Sequence, residues 1–227
     1  MTELPMPVAD QEIRGPVTIY EVGPRDGLQN ESALVPVEVK AELIRRLLAA
    51  GLPIVEATSF VHPKWVPQLA DAEDLMRMLG DSIGDRARDL PVLVPNERGL
   101  DRALELGCRH VAIFGSATET FAQKNLNRSL DEQFAMFEPV VRRAGAVGLD
   151  VRAYVSMCFG DPWEGAVPIE QVVSVGRRLF DLGASQLSLG DTIGVATAGH
   201  VGALVDAFAQ AGMQRGDSWM AWLKRRM

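Results

Sequence analysis

Short apolar runs alternate with longer amphipathic segments along the chain from residue 17 onward. The runs are almost continuously apolar, which is typical of parallel strands that are buried on both faces. The longer segments repeat their apolar residues at the spacing of one helix face. The pattern predicts strands over 17–22, 53–58, 91–95, 110–114, 150–156 and 186–189, and helices over 37–50, 70–79, 99–106, 169–182 and 197–211.

Local signals fix some ends of these elements. Gly51 should end the helix over 37–50, whose buried face is expected to carry Val39, Leu43, Leu47 and Leu48. Ser129 and Glu132 have the spacing of a capping box, which predicts a further helix after a long loop over 115–127. The strand–helix units recur about 30–40 residues apart, which indicates an α/β fold. Periodicity alone allows an open doubly wound sheet or a barrel, and the lack of Gly-x-Gly-x-x-Gly after the first strand weakens a dinucleotide-binding fold.

Composition and charge narrow the class of protein and its partners. The 227 residues suit one domain with a substantial core, and 47% hydrophobic with 23% charged residues are ordinary for a globular protein. A net charge of −7 argues against nucleic acid or an anionic membrane as a partner. The cysteines, Cys108 and Cys158, imply no disulfide framework, and no signal or membrane-spanning segment is recognised, so we expect a cytoplasmic location.

Polar side chains follow the first strand in a loop that contains glycine and proline. Arg25 offers a fork of donors for a carboxylate or an enolate-like oxygen, and Asp26 offers an oxygen ligand for Mg²⁺ or Mn²⁺. Gln29 can both donate and accept hydrogen bonds. Because parallel α/β enzymes build their sites at the carboxyl ends of strands, this loop is the first candidate site. The alternative is a turn with a solvated Arg–Asp pair.

Two further carboxylates lie at strand ends. Glu56 has apolar neighbours on both sides, which favours an inward side chain paired with Arg25 over a surface position. Asp191 follows the sixth strand, where it is either a site carboxylate or the cap of the next helix. The sequence identifies no metal ligand among the three isolated histidines, His62, His110 and His200.

The loop sequence Gly-Pro-Arg-Asp-Gly-Leu-Gln-Asn-Glu over 23–31 closely resembles the opening signature of the 3-hydroxy-3-methylglutaryl-CoA lyases. The segment over 54–60, continued by Pro-Lys-Trp-Val-Pro-Gln over 63–68, is similar to a second motif of that family. Ser-Leu-Gly-Asp-Thr-Ile-Gly over 188–194 resembles a third motif. The resemblance extends over roughly 16–211 and thus over most of the chain.

The resemblance implies an α/β fold of the TIM (β/α)₈ type that is incomplete, in a single domain over 1–227 with an extension over 1–15. It implies an acyl-CoA substrate, 3-hydroxy-3-methylglutaryl-CoA, cleaved to acetyl-CoA and acetoacetate as in leucine degradation and ketone-body metabolism, and it is compatible with a homo-oligomer. A divalent ion on Asp26, Mg²⁺ or Mn²⁺, would chelate the substrate, and Arg25 would stabilise the enolate that leaves. By the same resemblance the catalytic side chains are Arg25, Glu56 and Asp191, and the substrate-binding ones are Arg25, Gln29, Ser188 and Asn125.

Differences from the family leave other functions open. Met157 and Asp161 stand where cysteines are expected, and Cys158, offset by one, is expected to be a buried, inert thiol. This altered segment keeps open a lyase for a different 3-hydroxyacyl-CoA. The loop over 115–127 also looks like the family's, and its Lys124 or Asn125 could touch CoA or have a structural role instead.

The final segment, 212–227, does not resemble the family's next strand. That strand would be β-branched and end in His-x-His, and a later Asn and Cys would complete the metal ligands and the proton donor. The chain is therefore expected to be truncated, with impaired activity, or an inactive fragment. We expect a change of coding frame near Gly212, and the competing interpretation is a short helix that covers the open sheet. The strands over 17–22 and 186–189 are then expected to be unpaired, aggregation-prone edges.

Overall fold

The structure is a computed structural model in which residues 18–213 and the backbone of residues 219–223 are described. The N-terminal extension expected over 1–15 lies outside the described residues. The strands are β1 Tyr20–Glu21, β2 Ile54–Val55, β3 Thr58–Ser59, β4 Val92–Leu93, β5 His110–Ser116, β6 Asp150–Ser156, β7 Gln186–Asp191 and β8 Trp219–Leu223. The α-helices are α1 Val37–Ala49, α2 Ala72–Ile83, α3 Glu97–Glu105, α4 Glu119–Leu126, α5 Leu130–Ala146, α6 Ile169–Leu182 and α7 Ala198–Gln210.

Every strand pair within the described ranges is parallel, and neighbours in the sheet are neighbours in the chain. β1 pairs with β2, and β3 begins the run that continues through β8. β2 and β3 are parts of one strand that changes its neighbour, because Glu56 N donates to Glu21 O at 2.8 Å and Ala57 N donates to Pro91 O at 2.9 Å. Parallel strands in chain order, each followed by a helix, form the arrangement of a TIM barrel. The fold is therefore an incomplete TIM-type α/β barrel, as the family resemblance implies.

Two apolar clusters lie on opposite faces of the sheet. The larger one packs strand residues such as Val111, Ile113 and Val151 against the helices. Successive residues of a strand point to opposite faces, so Ala112 and Tyr154 face away from the helices, into the interior of the sheet. The interior cluster has few buried apolar members, namely Val22, Leu93, Ala112 and Tyr154. Polar side chains therefore occupy much of the remaining interior face, and they form the site described below.

The sequence patterns locate most elements correctly. β6 and α6 occupy the predicted ranges 150–156 and 169–182, and α5 begins after Ser129 with the predicted capping box. The prediction of a continuous loop over 115–127 is wrong, because α4 lies within it. The only buried residue of α4 is Ala122. An apolar periodicity that rests on one small residue is too weak to indicate a helix.

The buried face of α1 is rotated relative to the predicted one. Val39 is 54% exposed, whereas the buried residues are Lys40, Ala41, Ile44 and Leu48. Lys40 explains much of the difference, since its Nζ lies 2.7 Å from Asp71 Oδ1 and also donates to Gln68 O. A lysine whose ammonium group is paired and hydrogen-bonded can occupy a position that a hydrophobicity pattern assigns to solvent.

The last described segment is a strand. β8 pairs in parallel with β7, from Leu187 with Trp219 to Asp191 with Leu223. The prediction that β7 is an unpaired edge is therefore wrong, and so is the short-helix interpretation for 219–223; of the described strands, β1 pairs with β2 alone. The lack of β-branched residues was misleading, because strand formation depends on how well side chains fit a half-buried pleated surface. The coding-frame interpretation stays a prediction.

Candidate active site

The loop after β1 is a single turn of π-helix over Gly23–Gly27. Asp26 N donates to Val22 O at 2.7 Å, which ties the turn to the end of the strand. Pro24 stands at the start of the turn, where the missing N–H leaves no bond unmade. Short π-helical turns are rare and are frequent at functional sites. Two consecutive polar residues of this turn, Arg25 and Asp26, are buried.

Glu56 is the centre of the hydrogen-bond network at this end of the sheet. It lies between β2 and β3 and is completely buried. Arg25 Nε donates to Glu56 Oε1, and Arg25 Nη1 lies 3.2 Å from Asp26 Oδ1. The other carboxylate oxygen, Oε2, accepts from the hydroxyls of Tyr154 and, at 3.3 Å, of Tyr20. The predicted inward position of Glu56, with Arg25 as its partner, is confirmed.

Burial and neighbouring charges keep these groups in fixed protonation states. Burial raises the pKa of Tyr20 well above 10.0, and the charge of Glu56 raises it further. The same two causes raise the pKa of Tyr154. Burial acts to lower the pKa of Arg25, but Glu56, Tyr154 and Asp26 outweigh it and the pKa is raised. Near neutral pH both phenols are therefore protonated donors and the guanidinium is charged.

A second arginine lies against the faces of the two tyrosines. Arg152 Cζ is 4.1 Å from the ring centroid of Tyr20 and 5.3 Å from that of Tyr154. Its Nη1 donates to Gln186 Oε1 at 3.1 Å. Tyr20, Tyr154 and Arg152 are all absent from the site that the sequence predicts. A signal was available, because Arg152 and Tyr154 are two residues apart in a predicted strand and so must share a face.

Asp26 is held by its neighbours in the loop. Gln29 Nε2 donates to Asp26 Oδ1 at 3.2 Å, and Asn30 Nδ2 donates to Asp26 O at 2.8 Å. Mg²⁺ and Mn²⁺ are usually held by several oxygen or imidazole ligands. Residues 18–213 contain no group of three or more His, Cys, Asp or Glu side chains that could hold a metal ion. Asp26 with its described neighbours therefore does not fit a complete divalent-metal site.

Asp191 ends β7, and its carboxylate is engaged by the following loop. Its Oδ1 accepts from Val195 N and its Oδ2 accepts from Ala196 N, both at 2.9 Å. Asp191 thus shapes the loop that leads to α7, whereas Thr197 caps that helix. Since the strands are parallel, this loop lies at the same end of the sheet as Glu56. A role of Asp191 in catalysis stays a prediction.

Ser188 lies beside Tyr154 on the interior face. The two residues are register partners in β7 and β6, so their side chains point to the same face. Ser188 is completely buried, and its hydroxyl has no hydrogen-bond partner within the described residues. Buried polar groups normally have partners, so this hydroxyl is suited to a ligand at this end of the sheet. A contact of Ser188 with substrate stays a prediction.

The segment after β6, where the resemblance led us to expect cysteines at Met157 and Asp161, has a structural role. Asp161 Oδ2 accepts from Thr118 Oγ1 at 2.6 Å, and its Oδ1 accepts from Trp163 N at 2.7 Å. Asp161 therefore joins the loop after β6 to the loop after β5. Met157 has a left-handed backbone with φ 62°, and Cys158 is buried. Cys158 is 2% exposed, which confirms its expected burial, and burial raises the pKa of its thiol. The inertness of the thiol stays a prediction.

α4 carries the two residues that were expected near CoA. Lys124 Nζ lies 4.9 Å from the ring centroid of Trp163, which is 53% exposed. Thr120 N donates to Glu164 Oε1 at 2.5 Å, so α4 is tied to the loop after β6. Asn125 is exposed on the last turn of α4. Lys124 thus has a contact within the protein, and contacts of Lys124 or Asn125 with CoA stay predictions.

The family model described as HMGL-like matches residues 16–215. The chain belongs to the HMGL-like family. This HMGL-like chain is 49% identical over 183 residues to the mitochondrial hydroxymethylglutaryl-CoA lyase of Rattus norvegicus, covering 81% of the chain and 55% of that protein. It is 51% identical over 185 residues to the cytoplasmic 3-hydroxy-3-methylglutaryl-CoA lyase of Danio rerio, covering 82% of the chain and 54% of that protein. The chain spans about half the length of these curated relatives.

Solved structures of HMG-CoA lyases share the fold of this HMGL-like chain. The hydroxymethylglutaryl-CoA lyase of Pseudomonas aeruginosa has a TM-score of 0.83 and 41% identity, over 89% of this chain and 66% of that one. The HMG-CoA lyase of Acinetobacter baumannii, in complex with coenzyme A and 3-methylmalate, has a TM-score of 0.81 and 29% identity, over 88% of this chain and 64% of that one. These similarities confirm the family and the fold that the motifs indicate.

Proposed function

We propose that this chain carries the acyl-CoA site of a hydroxymethylglutaryl-CoA lyase, a carbon–carbon lyase of the oxo-acid-lyase class. The observation that carries the proposal is the buried pair of Arg25 and Glu56 with Asp26 beside it, at the carboxyl end of a parallel sheet. The relatives that bear this name are about half identical to the chain over most of its length. The substrate that this assignment implies is 3-hydroxy-3-methylglutaryl-CoA.

The reaction breaks the bond between the hydroxyl-bearing carbon and the carbon next to the thioester. Loss of the hydroxyl proton to a base turns that oxygen into the ketone of acetoacetate. The electron pair of the broken bond passes to the thioester as an enolate, which takes up a proton to become acetyl-CoA. Donors that are fixed before the charge develops stabilise such an oxyanion.

Arg25 is the donor that we assign to the enolate oxygen. A guanidinium carries several N–H groups, and the contacts with Glu56 and Asp26 draw on Nε and Nη1. Glu56 fixes the plane of the guanidinium, because it is itself held by two tyrosine hydroxyls. We assign the further roles of the site to Asp191 as a catalytic carboxylate and to substrate contacts by Gln29, Ser188 and Asn125.

A divalent cation is implied by the resemblance, with Asp26 as one ligand. When bound it would supply a Lewis acid for the substrate oxygens. The described residues alone do not fit this ion, so we assign no step of the reaction to it. For the same reason we expect that turnover by the isolated chain is impaired.

Calorimetric binding of 3-hydroxy-3-methylglutaryl-CoA to the purified chain tests the proposal. We expect binding, and we expect Arg25→Met to weaken it about 10-fold or more, because a hydrogen bond to a charged group contributes about 1.5–3 kcal/mol. Arg98→Met, on an exposed position of α3, is the matched control and should bind like the unaltered chain.

Four outcomes would each contradict a part of the proposal. Equal affinities of the Arg25→Met and Arg98→Met chains would remove Arg25 from the site. Tighter binding of a different 3-hydroxyacyl-CoA would show that the assigned substrate is wrong. A folded chain that binds neither compound would be an inactive fragment. Release of acetoacetate with Mg²⁺ or Mn²⁺ at the rate of a full-length relative would show that turnover is not impaired.

The cellular context follows from the same proposal. A place in leucine degradation and ketone-body metabolism, a cytoplasmic location, and assembly into a homo-oligomer are predictions that go with it. Curated relatives bear both cytoplasmic and mitochondrial names. No helix in the described part of the chain is both long enough and apolar enough to cross a membrane.

A further inference from the structure

Arg152 is a buried cation to which the proposed cleavage gives no role. Arg152 is only 6% exposed. Its guanidinium is held mainly by ring faces, with Cζ 4.1 Å from the centroid of Tyr20 and 5.3 Å from that of Tyr154. Gln186 Oε1 accepts from Nη1 at 3.1 Å, whereas Nε has no hydrogen-bond partner within the described residues. Arg152 therefore acts on its surroundings mostly through stacking.

The two tyrosines that Arg152 contacts donate hydrogen bonds to the same acceptor, the carboxylate of Glu56. The hydroxyls of Tyr20 and Tyr154 both donate to Oε2 of Glu56, while Arg25 donates to Oε1. A cation over the face of an aromatic ring is attracted by the ring quadrupole, and more strongly so when it is desolvated. The position of Arg152 thus restrains the planes of both rings, and through them the directions of both hydroxyls.

The positive charge of Arg152 also contributes to the balance of buried charges at this site. Arg25, Asp26, Glu56 and Arg152 are all buried, and they provide two cations and two carboxylates. An uncompensated buried charge is strongly unfavourable. Arg152 brings the second positive charge to this group through its contacts with the tyrosine rings, and it is not among the donors to Glu56, which are Arg25, Tyr20 and Tyr154.

We propose that Arg152 is a positioning residue, which stacks against Tyr20 and Tyr154 and so holds both hydroxyls on Glu56, the residue that orients Arg25. The consequence for catalysis rests on the function proposed above. The stacking of Arg152 on the two tyrosines is part of the folded structure and does not depend on that function. A purely electrostatic role would require only a positive charge at this place.

Tyrosine titration distinguishes these two roles. Tyr20 and Tyr154 are the only tyrosines of the chain, so tyrosinate absorbance reports the site alone. Because the phenols are buried and donate to Glu56, the folded chain should show no tyrosinate until well above the ordinary pKa of about 10. Circular dichroism at each pH would restrict the comparison to folded protein. The variants Tyr20→Phe and Tyr154→Phe would assign the signal, since each leaves one phenol.

Arg152→Lys keeps the charge but lacks the planar guanidinium that stacks. If Arg152 positions the rings, the hydroxyls lose their hold on Glu56, and at least one phenol should titrate nearer to about pH 10. If only the charge matters, this variant should titrate like the unaltered chain. Gln186→Met removes the in-plane acceptor of Arg152 and changes no charge, so it should shift the titration in the same direction. It also keeps the test decisive if Arg152→Lys does not fold.

Arg178→Met is the matched control. Arg178 Cζ lies 3.7 Å from the ring centroid of Phe134, so this variant removes a similar stacked guanidinium outside the site. It should leave the tyrosine titration unchanged. Folded Arg152→Lys and Gln186→Met chains that both titrate like the unaltered protein would overturn the proposal. Since no substrate is involved, that failure is distinct from failure of the acyl-CoA binding test.

Discussion

Arg25 Nε donates to Glu56 Oε1 between two side chains that are both buried. Arg25 lies in the π-helical turn after β1, and Glu56 lies where one strand changes its neighbour from β1 to β4. The pair therefore joins the first two strand–helix units through a charged contact at the end of the sheet. A substitution that removes one partner of such a pair leaves the other partner as an uncompensated buried charge. That loss strongly destabilises the folded state.

Glu56→Gln should destabilise the fold by about 3–5 kcal/mol, because Arg25 loses its main counter-ion and two phenols are left with a neutral oxygen. Urea unfolding followed by circular dichroism measures the difference. Glu42→Gln is the control, since Glu42 pairs with Arg45 and Arg46 on the exposed face of α1. It should lose little stability, because exposed pairs are screened by solvent. Equal losses in the two variants would contradict the central position of Glu56.

The sequence could predict the part of the site that is contiguous in the chain. Arg25 and Asp26 share one loop, and an acidic residue between apolar neighbours identifies Glu56 as inward-facing. The rest of the network depends on which strands meet. Tyr154 reaches Glu56 across 98 residues, and only the register of the sheet brings them together. Periodicity reports the face on which a residue lies, not its neighbour from another strand.

The same limit explains the rotated face of α1. Lys40 is buried because its ammonium group donates hydrogen bonds to Asp71 and to the Gln68 carbonyl. Both acceptors lie on the segment that leads into α2. Single-residue hydrophobicity cannot include such a partner. Where local signals suffice, as for the capping box of Ser129 with Glu132, the prediction and the structure agree.

Asp161 should make the stability of the chain depend on pH. Burial acts to raise the pKa of this carboxyl, but hydrogen bonds from Thr118, Trp163 and Glu164 outweigh it and hold the pKa below 3.8. A group with a lowered folded pKa contributes stability above its unfolded pKa and loses that contribution as pH falls through the folded value. Asp161→Asn should therefore be less stable than the unaltered chain at neutral pH, and the difference should shrink below about pH 4.

Denaturant unfolding at a series of pH values measures this effect. Thr118→Val removes one of the donors to Asp161 and leaves the two backbone N–H groups, so it should show the same trend with a smaller amplitude. The stability difference between Asp161→Asn and the unaltered chain should change with pH. If it does not, the hydrogen bonds to an ionised Asp161 carboxylate do not stabilise the fold.

Both thiols should be unreactive while the chain is folded. Cys108 and Cys158 are each 2% exposed. Burial raises the pKa of Cys108 to about 11 and also raises that of Cys158. Because the thiolate is the nucleophile, an aromatic disulfide reagent at about pH 8 should label neither thiol before unfolding and both thiols afterwards. Rapid labelling of the folded chain at either position would contradict the burial of that residue.

Gly176 lies where α6 packs tightly against Phe208 of α7. A Cβ at this position would lie 2.5 Å from Phe208 Cε1 and 3.0 Å from Leu187 Cδ1. Both neighbours are completely buried, so neither side chain has free space into which it can move. Gly176→Ala should therefore destabilise the chain by about 1–3 kcal/mol, although alanine is the better helix former.

Gly202→Ala is the matched substitution with the opposite expected sign. Gly202 lies inside α7, and a Cβ there would meet no heavy atom within 4 Å. Alanine should therefore stabilise the chain by about 0.5–1 kcal/mol, because it restricts the unfolded backbone and meets no obstacle in the helix. Thermal unfolding of the two variants measures both effects under the same conditions. If both variants were stabilised, helix propensity alone would govern the two positions, and the close packing of α6 on Phe208 would be wrong.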